Sequence, residues 1–305
     1  MTSTITNAIE REVRIAARPE TVFSFFTDPA KIVQWLGRRA EVDAHPGGLV
    51  RIDYNGFDIM RGSFVEITPH SRVVFTWGWE TLGDGVQPGQ STVEVTLTPD
   101  GDGTILHLLH TGLGAEETAS HGAGWDFFLA ALAEGASGAA APVRSPLSDG
   151  EELASRLNSL LVELRWAIEG CSDARWSAVC PGAGWPVSAT AAHAVAHTGL
   201  AHFAKAVVEG QRAPQADFTA ERLAELNASS ARENAGLSRA QVLATLKTDG
   251  PAAVELLKTL TAADLAKTQS MVFAGGAALS ARQLIEGPLV GDLAAHLTDI
   301  RAGAG

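Results

Sequence analysis

His193 and, much later in the chain, the pair Asp292 and His296 are the residues whose types and spacing are best suited to chemistry. Each lies in a stretch that reads as an amphipathic helix. Side chains four apart on a helix project from one face, about one turn apart. An oxygen and a nitrogen ligand from one helix, joined by a nitrogen from another, would make a three-ligand site for a divalent metal. Zinc and nickel accept that donor set. Three protein ligands leave one coordination position open, as in reactive rather than structural sites. His197 follows His193 by four residues and forms a competing pair on the same helix face, whereas His202 falls roughly on the opposite face. Each of these histidines has a plainer alternative, as a hydrogen-bonded core residue or a solvated one. Asp299, about a turn beyond His296, reads either as a partner behind a ligand or as a solvated charge.

A chain of 305 residues exceeds one usual domain and predicts two. A hydrophobic fraction of 46% with 19% charged residues is that of a globular protein with sizeable cores. The formal charge of -12 excludes nucleic acid and anionic membrane as expected partners, since both need a basic surface. Met1 to Glu12 show no basic region followed by an apolar run, and the most apolar stretch, Phe127 to Val143, is Gly-rich and broken by Glu134. Neither a secretory signal nor a membrane span is therefore expected. Cys171 and Cys180 are the only cysteines, too few for a disulfide framework, and they read as ordinary thiols. A reduced, cytoplasmic compartment is expected.

The elements that must position these residues change character midway. Ile9 to Ile15 alternates apolar and charged residues, the period of a half-buried strand. Arg18-Pro19-Glu20 opens a helix over Thr21 to Phe26, closed by Asp28-Pro29, and a second helix is predicted from Ala30 to Leu36. Strand patterns follow at Ala40–Ala44, Leu49–Tyr54, Arg61–Thr68, Val73–Trp79, Thr92–Thr98 and Thr104–Thr111, separated by Gly-, Pro-, Asn- and Asp-rich turns. Glu116 to Glu134 reads as a long closing helix. The fold class is α+β, a curved antiparallel sheet around a long helix, followed by an all-α region.

This order, with the words Arg18-Pro19-Glu20-Thr21-Val22-Phe23, Trp35-Leu36-Gly37, Pro46-Gly47-Gly48 and Gly124-Trp125, resembles the START-like (SRPBCC, Bet v 1-like) superfamily. The branch it looks most like is that of the homologues of the heat-shock chaperone ATPase activator. The resemblance covers about residues 7–136 and implies a helix-grip fold that encloses an apolar ligand between sheet and helix. Trp77 and Trp79 alternate with Gly78, so they share one strand face. With Trp125 of the closing helix they are the expected ligand-binding residues if that face is concave; otherwise they cover the outside of the sheet. Asp53 and Asp58, beside the Asn55-Gly56 turn, are acid or base candidates that also read as turn caps.

Gly135 to Asp149 is rich in Ala, Gly, Ser and Pro and reads as a linker region. The predicted division is a ligand-binding domain over 1–137, a linker over 138–148 and a helical bundle over 149–305. Capping-box signatures stand at Ser148/Glu151, Ser238/Gln241, Thr261/Asp264 and Ser280/Gln283, and Trp185-Pro186 adds a proline start. Helices are expected over 149–169, 186–209, 219–234, 238–260 and 280–301. Gly250-Pro251 is predicted to break or kink the fourth, and Pro288 to kink the last.

The segment from Gly184-Trp185-Pro186 to His193, together with Gly287 to Arg301, resembles the DinB-like four-helix bundles over about residues 150–303. That group includes the mycothiol-dependent maleylpyruvate isomerase-like proteins and bacillithiol transferases. The resemblance implies that His193, Asp292 and His296 are metal ligands and that a low-molecular-weight thiol is a co-substrate. Aspartate is shorter than the residues usual at the second of these positions. Trp176 and Trp185 read as bundle packing.

The expected function is handling of a small apolar organic molecule, with binding in the first half and thiol-dependent transfer, isomerisation or hydrolysis in the second. Detoxification or self-resistance suits that pairing, a homo-oligomer is compatible with it, and no individual residue is assigned as catalytic. The alternative is a non-catalytic ligand-binding or chaperone-associated module whose metal site has decayed, with Asp292 as the trace.

Overall fold

The computed structural model describes residues 7–140 and 144–303. It divides into two compact units, Met1–Ser145 and Pro146–Gly305. In the first, β1 (Ile9–Ile15) is followed by α1 (Pro19–Thr27) and the short α2 (Pro29–Ile32). The meander β2 (Arg39–Val42), β3 (Leu49–Asp53), β4 (Ile59–Thr68), β5 (Arg72–Trp77), β6 (Ser91–Asp100) and β7 (Gly103–Thr111) then leads to α3 (Ala115–Ala136). The strands form one seven-stranded sheet in the order β1-β7-β6-β5-β4-β3-β2, with every neighbouring pair antiparallel. A register shift between Phe64 and Glu66 interrupts the β4–β5 ladder; such bulges bend a sheet.

Alternation makes one face of this sheet the core. Val93, Val95 and Leu97 of β6 and Leu106, Leu108 and His110 of β7 are buried, every second residue. The helix laid against that face buries Gly122, Trp125, Leu129, Leu132 and Ala136, the recurrence of three and four that makes a single stripe. The predicted second helix is corrected: only Pro29–Ile32 is α-helical, and the chain turns through Val33 to Leu36 before Gly37 adopts a positive φ of 79°. The predicted strand through Trp79 ends at Trp77, and Trp79 is joined to Met60 by an isolated bridge. Gly78 allows that transition. A Cβ there would lie 1.9 Å from the carbonyl oxygen of Gln87, so no larger residue lets the two segments approach.

The second unit comprises α4 (Asp149–Glu169), α5 (Asp173–Trp176), α6 (Val187–Ala196), a 3₁₀ turn (His197–Gly199), α7 (Leu200–Val208), α8 (Ala220–Asn234), α9 (Arg239–Lys258), α10 (Ala262–Leu265), the hairpin β8 (Thr268–Ser270) and β9 (Ala278–Ser280), α11 (Ala281–Leu284), a π-helical segment (Ile285–Gly291) and α12 (Asp292–Ala302). All four capping boxes form, each satisfying backbone amides at both ends of the motif. Leu153, Leu157, Leu161, Leu164 and Ile168 of α4 are fully or almost fully buried, and α4, α6, α9 and α12 pack on one another.

Three expectations about these helices are corrected. The helix predicted over 186–209 is split by the turn at His197–Gly199. α9 continues through Pro251, so the break allowed for there does not occur, although proline contributes no amide to the helix. In the final helix, where Pro288 predicts a kink, the chain widens instead: Ile285–Gly291 winds as π-helix, a form frequent at functional sites. Among the described residues no helix is long and apolar enough to cross a membrane.

Candidate metal centre and ligand cavity

Three imidazoles converge in the helical unit. One ring nitrogen from each of His193, His197 and His296 lies within 4.8 Å of the other two. His193 comes from the end of α6, His197 from the 3₁₀ turn that follows, and His296 from α12. The rings meet edge to face, with centroids 4.7 Å apart for His193–His197, 5.0 Å for His193–His296 and 5.3 Å for His197–His296. Trp185 packs its edge on His193 at 5.2 Å, which fixes that ring from outside the cluster.

The hydrogen bonds decide which nitrogens are free. His197 Nδ1–H donates to the carbonyl oxygen of Pro288 over 2.7 Å, so in the neutral ring Nε2 carries the lone pair. That Nε2 stands 3.1 Å from Nε2 of His193. Two nitrogens bound to one tetrahedral zinc stand roughly 3.3 Å apart, so the pair already has the spacing of ligands sharing a cation. The Pro288 carbonyl is the kind of partner that orients a ligating imidazole from behind.

The protonation states fit as well. Burial pushes the pKa of His193 down to about 3, aided by the neighbouring His197 and His296. Burial also lowers His197, against the opposing effects of the Pro288 carbonyl and Asp292. His296 is lowered by burial and by His197, with Asp292 and Asp299 opposing. All three rings are therefore neutral near pH 7, the form that binds metals.

Asp292, expected as a ligand, is exposed and is not in the converging group, which contains His197 instead. Its carboxylate still acts on the cluster through charge. His202 is exposed. Asp299 is neither a ligand nor a free surface charge: its two oxygens accept the backbone amides of Gly182 at 2.7 Å and Ala183 at 2.6 Å, pinning the loop that leads into Trp185. His193 and His197 line a cavity of about 580 Å³ whose walls include Leu200, Phe203, Leu226, Phe273 and Asp292. The cluster thus faces a space large enough for a small organic molecule.

The first unit holds a second cavity, of about 520 Å³, and Trp77, Trp79 and Trp125 all line it. The face carrying Trp77 and Trp79 is therefore the one that looks into the cavity. Trp79 Nε1–H donates to His121 Nε2 over 3.0 Å, and His121 Nδ1 in turn reaches the Glu117 carbonyl at 2.8 Å. Trp125 Nε1–H donates to His110 Nδ1 over 3.0 Å, leaving His110 Nε2–H to donate to Ser91 Oγ at 2.9 Å, which itself donates to the Trp77 carbonyl at 3.1 Å. Burial, with a smaller effect of His121, lowers the His110 pKa to about 3. Asp58 lies at the cavity and accepts from Asn55 Nδ2 at 2.7 Å, and Asp53 caps Gly56, so both act as turn residues.

Tyr54, His110 and His121 were not singled out by sequence reasoning. The signal existed: Val50, Ile52 and Tyr54 alternate onto one face, as do Leu106, Leu108 and His110. The tyrosine hydroxyl and Trp77 Nε1 are buried, and among the described residues neither has a hydrogen-bond partner. Such a group costs about 1–3 kcal/mol.

Comparison with known protein families matches the Activator of Hsp90 ATPase homolog 1-like family over residues 16–136 and the DinB superfamily over residues 156–286. No curated protein matches the chain. Among solved structures, an AHSA1-like protein of Rhizobium etli is 41% identical, covering 46% of this chain and 91% of that one, with a TM-score of 0.37. CalU16 of Micromonospora echinospora is 28% identical over 43% of this chain and 76% of its own, with a TM-score of 0.35. DynU16, from the dynemicin biosynthetic locus, is 24% identical with a TM-score of 0.39; the match covers 44% of this chain and 49% of that one, so the chain spans about half the length of DynU16. Through residues 16–136 the chain belongs to the AHSA1-like family, and its residues 156–286 match the model of the DinB superfamily.

Proposed function

We propose that the protein is a cytoplasmic, metal-dependent handler of small organic molecules. Its AHSA1-like half encloses an apolar ligand, and its DinB-like half holds a divalent cation, zinc or nickel, on His193, His197 and His296. The observation carrying this reading is the convergence of three neutral imidazoles, two of which line a cavity of about 580 Å³. Nitrogen donors alone suit zinc and nickel better than magnesium or calcium. When bound, such a cation supplies Lewis acidity and lowers the pKa of a thiol or water presented to it. The chain's own part is to keep the rings neutral by burial, to aim His197 through the Pro288 carbonyl, and to shield the reacting groups with the apolar wall of Leu200, Phe203 and Phe273. A low-molecular-weight thiol and a reactive electrophile are the proposed substrates, with transfer of the thiol to the electrophile as the reaction and detoxification as the role.

The three imidazoles that converge without Asp292 favour this reading over a decayed site. Metal analysis of the purified chain tests the reading. About one zinc or nickel per chain, lost in His193→Ala and in His296→Ala, is expected, along with metal-dependent consumption of a thiol in the presence of an electrophile. Protein that stays metal-free after incubation with either cation sinks it.

A further inference from the structure

Among the described residues only two other than glycine have a positive φ, His70 and Gln215, both at 65°. Each follows a proline, at the third position of a hydrogen-bonded turn. Ala216 N–H donates to the Ala213 carbonyl over 3.2 Å, and Ser71 N–H to that of Thr68 over 3.1 Å. Proline second and a left-handed residue third is the pattern of a type II turn, whose third position favours Gly or Asn. His70 offsets its strain by packing a ring edge on Phe23, with centroids 5.5 Å apart. Gln215 has no such compensation: it is exposed, and its carboxamide has no partner among the described residues. The turn around it is nonetheless firmly held. Gln269 accepts the Ala213 N–H at 2.9 Å and donates to the Gln211 carbonyl at 2.8 Å. Arg212 pairs with Asp217 and donates to the Ser270 carbonyl at 2.8 Å, while Val272 N–H donates to the Ala216 carbonyl at 2.8 Å. Ala213 and Ala216 are buried. Backbone strain that the surroundings enforce, with no gain inside the fold, is a mark of functional positions.

The position of Gln215 suits such a role. It lines the cavity shared with His193 and His197, and also an adjoining groove of about 570 Å³, so it sits where the two meet. We propose that Gln215 is a specificity-determining residue whose carboxamide selects an uncharged thiol bearing an amide of its own. The proposal rests on the reading of this cavity as the place where a thiol meets a metal, and adds what else that thiol carries. A carboxamide both donates and accepts, so it pairs with another through two opposed N–H···O bonds. An ester only accepts and forfeits one of them. A carboxylate is disfavoured by charge, since Asp292 and Glu233 line the cavity and, among the described residues, neither lysine nor arginine does.

The test uses the full-length, zinc-loaded protein and primary amides of straight-chain thiols with two to five methylenes, beside the methyl ester and the acid of each. Calorimetry gives the affinities. At the best-fitting length the amide should bind about tenfold more tightly than its ester and its acid, and Gln215→Ala should cut that ratio to about threefold or less. Gln215→Gly should cut it equally while raising the thermal unfolding midpoint by about 2 °C, because glycine adopts the left-handed conformation readily. Equal affinity for amide and ester in the wild type, or an unchanged ratio in Gln215→Ala, overturns the assignment and leaves the metal centre standing. A lowered midpoint in Gln215→Gly overturns the strain argument beneath it. Failure of the chain to load zinc, or of every thiol to bind the loaded chain, sinks the metal–thiol reading and this assignment together. The wild-type comparison decides the matter even if a variant fails to fold.

Discussion

At the scale of single residues, the helical unit turns on a choice between His197 and Asp292. Both stand four residues from an accepted partner, His193 and His296 respectively, so spacing alone could not separate them. What separates them is which side chains the distant helices bring together, and spacing along the chain does not state that. The structure brings His197 into the cluster and leaves Asp292 at the cavity wall. His197→Ala should therefore abolish stoichiometric metal as fully as His193→Ala, whereas Asp292→Asn should retain about one metal per chain. Atomic emission on matched preparations measures both. A metal-free Asp292→Asn protein beside a metal-replete His197→Ala protein would restore the carboxylate as the ligand.

At the scale of elements, strands and caps were legible because each is written in a few adjacent residues. The alternation of Val93, Val95 and Leu97 and the Ser238/Gln241 reciprocal cap need no distant information. Ser238→Ala should accordingly cost about 1 kcal/mol in denaturant unfolding. The break at His197–Gly199 and the unbroken passage through Pro251 depend on what the helices pack against, which local sequence does not state. The loop before Trp185 is a further case. Asp299 looked like a surface charge, yet it holds the Gly182 and Ala183 amides with both oxygens. Asp299→Ala leaves those amides to water and should lower stability by about 2 kcal/mol, since hydrogen bonds to charged groups contribute at that level. Because that loop leads to the ring packed on His193, the same variant should also hold its metal more weakly. Equilibrium unfolding and competition with a chromophoric chelator read the two effects separately.

At the scale of the whole molecule, each unit has its own core, and each should fold when expressed alone as residues 1–145 or 146–305. Dispersed amide spectra for both halves, with all the metal in the second, is the expected result. The first half should also be acid-sensitive in a defined window. His110 is completely buried, and its pKa falls to about 3 in the folded state against an ordinary 6.5. Above pH 6.5 neither folded nor unfolded chain protonates it, so it contributes no pH dependence. As pH falls below 6.5, the unfolded chain takes up a proton that the fold refuses, and stability declines by up to about 1.4 kcal/mol per pH unit until the folded pKa is reached. Unfolding midpoints of residues 1–145 between pH 7 and 4 should show this slope, and His110→Gln should flatten it while starting from lower stability at pH 7. An unchanged slope in that variant would assign the acid lability to other groups.

The π-helical segment carries one more implication. A wide turn of this kind amounts to a surplus residue that shifts the angular phase of everything downstream, so α11 and α12 do not read as one continuous wheel. Removing a residue between Ile285 and Gly287 would let the coil tighten to ordinary pitch. His296 would then swing by about 100° around the helix axis, and the Pro288 amide oxygen that steadies His197 would be carried away with it. If the cluster holds a metal as proposed, such a deletion should weaken its binding although the stretch supplies none of the converging imidazoles.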